Sequence, residues 1–198
     1  GTATSQALEE LRKIYKVPII GIITPTIMDI KKNIDENKQT KIGVIATEGT
    51  IRSNKWQEEL EQEIKNVQVI NKACPLLAPM AEQGWTNNLV AKEAIKEYMK
   101  PFKEKKIDKI ILGCTHYPLF SNLIREELGL NVEIINTGEK IANYLEEYLV
   151  NGELENEKNN VGKCLYNLTD TQCNFIQVAG TLMKDEEIED KILKIDIE

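Results

Sequence analysis

The chain is poor in the residues that announce a metal site or a disulfide framework. It holds one histidine and four cysteines (Cys74, Cys114, Cys164 and Cys173) in 198 residues, with no CxxC pair and no Cys/His ligand spacing. A structural zinc ion needs such ligands at set intervals, so no metal is expected. No apolar run approaches the ~20 residues of a membrane helix. The first residues carry neither the basic nor the apolar region of a signal peptide. Positive charge is also short: 25 Lys and Arg against 32 Asp and Glu give a net charge of −7. That balance argues against a nucleic-acid partner, whose phosphates call for a basic surface. A small anionic substrate stays compatible, because a local nest of N–H groups binds anions even in an acidic protein. No internal repeat of fixed period is found. Cysteines without a pairing framework fit a reduced, cytoplasmic protein.

What is present is an alternation. Hydrophobic residues make up 41% and charged residues 29% of the chain, the balance of a globular protein with one large or two small cores. Short β-branched runs at 17–23, 41–46, 67–73, 110–112, 132–136 and 163–168 read as strands. Between them lie amphipathic stretches. One covers residues 1–15, with Ala7, Leu8, Leu11 and Ile14 on one face and Thr4 or Ser5 as cap. Others run through Ile27, Ile30 and Ile34, from near Ser53 through Trp56, Leu60 and Ile64, over 88–102, through Leu123 and Leu128 to Gly129, and through Ile141 and Leu149. Residues 151–160 read as a polar loop, and 184–198 as a surface helix or frayed tail. Strands alternating with helices of this length imply βαβ units, a parallel sheet and an α/β fold.

The chain is organised around residues 109–120, KIILGCTHYPLF. Ile110, Ile111 and Leu112 read as a buried parallel strand. Gly113 ends it, and Pro118 sits where a helix would begin. Cys114, Thr115 and His116 thus fall at the carboxyl end of a strand, where open α/β sheets bind ligands. A thiol near a helix N-terminus with the sole imidazole two residues away ionises more easily than a free one. A buried structural cysteine is the alternative reading, and it is the one that suits Cys74.

GCTHYP after an apolar strand resembles the second signature of the glutamate racemase family, in the aspartate/glutamate racemase superfamily. Further matches follow in order over nearly the whole chain. Thr2 and Ala3 match the end of a Cys-Asn-Thr-Ala motif, with Gly1 at the position of the Asn. Thr47-Glu48-Gly49-Thr50 resembles the threonine- and glycine-containing turn near the substrate. Pro79 and Glu82 match a segment that carries a carboxylate beside the catalytic histidine. The resemblance implies two parallel-sheet αβα domains, one over 24–136 and one assembled from 1–23 and 137–198. Residues 171–183 match the closing helix. The family's Asp-Ser-Gly loop, Pro-Tyr-Gly loop and first catalytic cysteine have no counterpart here, so the second domain is expected to be incomplete in this chain.

The implied chemistry is cofactor-independent inversion of glutamate at Cα by two thiols on opposite faces, supplying D-glutamate for peptidoglycan. Cys114 would act as base toward L-glutamate, His116 would assist it and Glu82 would orient His116. Thr2, Thr47, Thr50 and Thr115 would hold substrate polar groups. Glutamate is the expected partner, with a homodimer left open, and no metal, cofactor, nucleic acid or membrane. Another amino-acid or hydantoin racemase of the superfamily, or an incomplete fragment serving as a binding module, are the other readings. A Cys/His hydrolase is a more distant one, since only Glu82 is available as a third member.

Overall fold

Four of the apolar runs pair side by side in the computed structural model, which describes residues 1–152, 164–170, 179–180 and 188–196. They are β1 (Thr40–Ala46), β2 (Val67–Ala73), β3 (Lys109–Leu112) and β4 (Glu133–Asn136), all parallel, in the order β2-β1-β3-β4. The register aligns the carboxyl ends: Ala46 with Ala73, Ile45 with Leu112, and Leu112 with Asn136. Continuous apolar runs form such strands because both faces are covered by helices.

Side chains alternate between two cores. Ile45, Ile110 and Leu112 face α5 (Leu77–Glu82), α6 (Leu89–Lys105) and α7 (Ser121–Leu128), packing with Met80, Ile95, Phe102 and Ile124. Ile42, Val44, Ile111 and Ile135 face α2 (Ile23–Lys32) and α4 (Lys55–Glu63), packing with Ile27, Trp56 and Leu60. Each fully buried aliphatic or aromatic side chain of this kind contributes about 1.5–3 kcal/mol. Gly43 makes room for α6: a Cβ there would lie 2.8 Å from Phe102 Cδ1. The helix α8 (Thr137–Asn151) follows β4 directly and packs on α2, where Lys140 Nζ lies 2.7 Å from Asp29 Oδ2. The result is a three-layer αβα arrangement. No described helix is long and apolar enough to cross a membrane.

The chain leaves β1 toward β2 on one side, while β3 lies on the other. The carboxyl ends of β1 and β3 therefore flank the switch point at which open sheets form a ligand crevice.

Four expectations are corrected. Residues 17–23 are not a strand, and Ile23 already belongs to α2. Pro18 removes a donor, and other backbone groups of the segment go to side chains: Arg12 Nε–H donates to Ile19 O, and Ile22 N–H donates to Thr4 Oγ1. Thr4 is thus engaged there, and α1 (Thr2–Ile14) begins at Gly1 without a side-chain cap. Residues 47–50 are not a plain turn, because Thr47 caps a short helix, α3 (Glu48–Arg52). In the C-terminal stretch, β5 (Tyr166–Leu168) pairs in parallel with β6 (Ile192–Lys194), a strand where a helix or tail was expected. The helix expected over 171–183 and the loop over 151–160 lie largely outside the described residues.

Candidate active site

The site grows from the way β3 ends. Gly113 N–H donates to Ile45 O at 2.8 Å, drawing the strand end against β1. The next residues turn sharply, and Tyr117 N–H donates to Cys114 O at 3.2 Å. A 3-10 turn over Tyr117–Phe120 with Pro118 inside it then leads into α7. Cys114 Sγ lies 3.7 Å from His116 Nδ1. On the other side of the imidazole, Nε2 lies 3.5 Å from Glu82 Oε1 at the end of α5. His116 is one-third exposed and Glu82 about two-thirds, so solvent screens that ion pair and keeps it weak.

Burial pushes the Cys114 thiol up, but hydrogen bonds from the His116 ring and backbone N–H, together with the imidazolium charge, outweigh it. The thiol ends below its ordinary value. His116 is raised in turn, first by its hydrogen bond to Cys114, against the opposing effect of burial, with thiolate and Glu82 charge adding to the rise. A 3-10 turn stands between the thiol and α7, and the contact with His116 is the main cause of the lowering. Cys74, at the carboxyl end of β2, has the opposite fate. It is fully buried, and desolvation pushes it up to about 12, as expected of a packing residue.

At the neighbouring strand end, three hydroxyls close a triangle. Thr2 Oγ1 lies 3.0 Å from both Thr47 Oγ1 and Thr50 Oγ1, and the latter two are 2.9 Å apart. Thr47 also accepts the Thr50 N–H as α3's cap. Thr50 is buried, while Thr2 is exposed and Thr47 half-buried. Gly1 lies between this triangle and the thiol turn. A Cβ on Gly1 would sit 2.4 Å from Gly113 O and 3.5 Å from Thr50 Cγ2. The structure thus gathers Thr2, Thr47, Thr50, Cys114, His116 and Glu82 at one sheet edge. Thr115 is exposed on the turn, with no described hydrogen bond. Among the described residues, no cluster could hold a metal ion.

Two neighbours of the site escaped sequence reasoning. Tyr117 is completely buried, and its hydroxyl donates to Cys74 O at 2.8 Å. Trp56, read only as one face of a helix, places its buried Nε1 beside Gly113. Nothing in spacing or periodicity marks either contact.

Sheet order and site together define an open α/β protein with a cysteine–histidine contact at the carboxyl edge of its sheet. The Asp/Glu/Hydantoin racemase family model matches residues 2–145. A glutamate racemase of Geobacter metallireducens is 35% identical over 182 residues, covering 92% of this chain and 66% of the relative. The structure of glutamate racemase isoform RacE1 from Bacillus anthracis superposes with a TM-score of 0.88 at 31% identity, over 99% of this chain and 71% of that one. Glutamate racemase from Francisella tularensis, solved in complex with D-glutamate, gives 0.83 at 27% identity, over 100% and 70%. The chain belongs to the Asp/Glu/Hydantoin racemase family. It spans about two thirds of the length of the curated relatives it matches.

Proposed function

We propose that this chain carries one face of the proton-transfer machinery of a cofactor-independent glutamate racemase, an isomerase. The observation that carries the reading is the Cys114–His116 contact at the sheet's switch point, with a thiol below and an imidazole above their ordinary values. A thiolate of this kind takes the Cα proton of L-glutamate. The electron pair left on Cα delocalises into the carboxylate as an enediolate, and a thiol results. His116 holds the thiolate before the step, and Glu82 keeps the imidazole oriented. Thr2, Thr47, Thr50 and Thr115 supply hydroxyls that steady the substrate's polar groups as charge builds on the carboxylate.

Inversion requires a proton from the opposite face. Cys74 is fully buried, and neither Cys164 nor Cys173 lies near a motif that matches the family's. The family resemblance puts that second thiol just ahead of Gly1. The same reading divides the chain into 24–136 and a unit built from 1–23 and 137–198. It also places the protein in the cytoplasm, with peptidoglycan synthesis as the use of D-glutamate. Self-association as a homodimer belongs to it too, for which Trp85, Leu89 and Val90 offer exposed apolar surface. Glutamate is preferred to aspartate or a hydantoin because the named relatives are glutamate racemases.

The test follows circular dichroism of L-glutamate and exchange of its α-proton in D₂O. The 198-residue chain alone should give at most slow exchange and no inversion. A full-length protein should racemise, lose activity in Cys114→Ala and slow in His116→Ala and Glu82→Ala. Enzyme-like racemisation by the 198 residues alone would sink the two-thiol assignment.

A further inference from the structure

Tyr117 is among the largest fully buried side chains, and its hydroxyl is 2.8 Å from the carbonyl oxygen of Cys74. That bond spans an unusual gap. Tyr117 follows β3, Cys74 follows β2, and β1 lies between those strands. Two strand spacings, about 10 Å, separate the strands being joined. The other described hydrogen bonds of residues 114–117 are local: Cys114 with His116, Tyr117 N–H to Cys114 O, and Leu119 N–H to His116 O. The Glu82 contact reaches α5 but is mostly exposed, hence weak. Among the described residues, the phenol is therefore the one buried polar tie from the Cys114–His116 turn to another strand end. It remains a donor over the working pH range, because burial pushes it well above the usual tyrosine value, with Cys74 and Cys114 adding to the rise.

We propose that Tyr117 is a positioning residue, whose buried phenol locks the Cys114–Tyr117 turn to the end of β2 and so sets the distance at which the thiol and imidazole meet. The proposal rests on reading Cys114 as the proton-transfer thiol, and it adds a residue that acts only through that pair. A sulfur–nitrogen contact of 3.7 Å is already long. Geometry of this kind loses strength steeply with small displacements. Packing alone would hold the ring in place but leave the turn free to tilt about it. The charged groups that act on Cys114 are His116 on its own turn and, in this 198-residue chain, the amino group of Gly1; Glu82 on α5 acts through His116, and Cys74 and Cys114 both act on the Tyr117 phenol. Of these, only His116 makes a hydrogen bond to the sulfur.

The experiment is the pH dependence of iodoacetamide alkylation, read by mass spectrometry on the tryptic peptide 110–125, in which Cys114 is the only cysteine. It needs no substrate. Tyr117→Phe keeps the ring and removes the hydroxyl. Its alkylation midpoint should move to higher pH, and its rate at pH 7 should fall about three- to tenfold, as for loss of one buried hydrogen bond. The plateau rate at alkaline pH should stay unchanged. In a His116→Ala background the same substitution should shift nothing further. Ile95→Val, which loosens the same core without touching the turn, should leave the profile in place. A rise in rate at every pH would mark simple loss of shielding and overturn the proposal. So would an equal shift in the His116→Ala background or in Ile95→Val. An activated thiol in the parent that Tyr117→Phe leaves unmoved overturns the role of Tyr117 alone. A parent thiol that titrates like a free one overturns that role and the proton-transfer reading together.

Discussion

Replacing Gly113 with alanine would place one methyl group at the point where the site is most tightly built. The added Cβ would lie 2.9 Å from Ile45 O, 3.1 Å from Ala46 Cβ and 3.3 Å from Trp56 Nε1. Two of these belong to β1's backbone and first side-chain atom, and the third to a rigid buried ring, so no neighbour can swing aside. Space, not conformation, is the issue, because Gly113 is not among the glycines with positive φ. Overpacking of this kind costs about 1–3 kcal/mol. Pushing the strand end outward also stretches the 2.8 Å bond from Gly113 N–H to Ile45 O, worth about 0.5–1.5 kcal/mol. Restricting the unfolded chain returns about 0.4–1 kcal/mol. The net loss is about 2 kcal/mol, or a fall in Tm of about 4–8 °C for a chain of this size. Because Cys114 is the next residue, the displacement should also lengthen its contact with His116 and move the Cys114 alkylation midpoint to higher pH. Thermal unfolding by circular dichroism and the alkylation profile read the two effects. A variant that melts within about a degree of the parent and keeps its profile would refute the view that close packing of β3 on β1 positions the thiol.

The sole histidine permits a one-signal NMR titration. His116 should titrate above the usual ~6.5, since its hydrogen bond to Cys114 favours the charged ring, and Cys114→Ala should lower its midpoint. A midpoint unmoved by that change would break the link between the two groups. Thr50→Val keeps the shape of a buried side chain but removes two hydroxyl contacts, so denaturant unfolding should show a loss of about 1–2 kcal/mol. A neutral result would mean the hydroxyl triangle adds nothing to stability. Phe102→Ala, fully buried against Gly43, should cost about 3–5 kcal/mol in the same assay. A loss under about 1 kcal/mol would show that α6 collapses onto the sheet without it.

Most of the sheet was legible in the residues themselves. Runs such as those at 42–46 and 110–112 are apolar on both faces, and only a strand covered by helices on both sides satisfies such a run. The motif Cys114–His116 was equally legible, because a strand end followed by a sharp turn places its chemistry by local geometry. Residues 17–22 were not, although they look as apolar as any true strand. A strand exists only where a neighbour takes its backbone groups, and here Arg12 and Thr4 side chains take two of them. Ile192–Lys194 was missed for the converse reason. It is short and charged nearby, and becomes a strand because Tyr166–Leu168 lies beside it. Within the site, sequence could name Thr2, Thr47, Thr50, Glu82 and Cys114 but could not bring residues 50 and 113 within contact of Gly1. It did single out Cys114 over Cys74 as the ionisable strand-end thiol, but it could not show what surrounds either sulfur. Cys114 and Cys74 differ in what tertiary packing places against the sulfur, an imidazole 3.7 Å away in one case and a water-excluding core in the other.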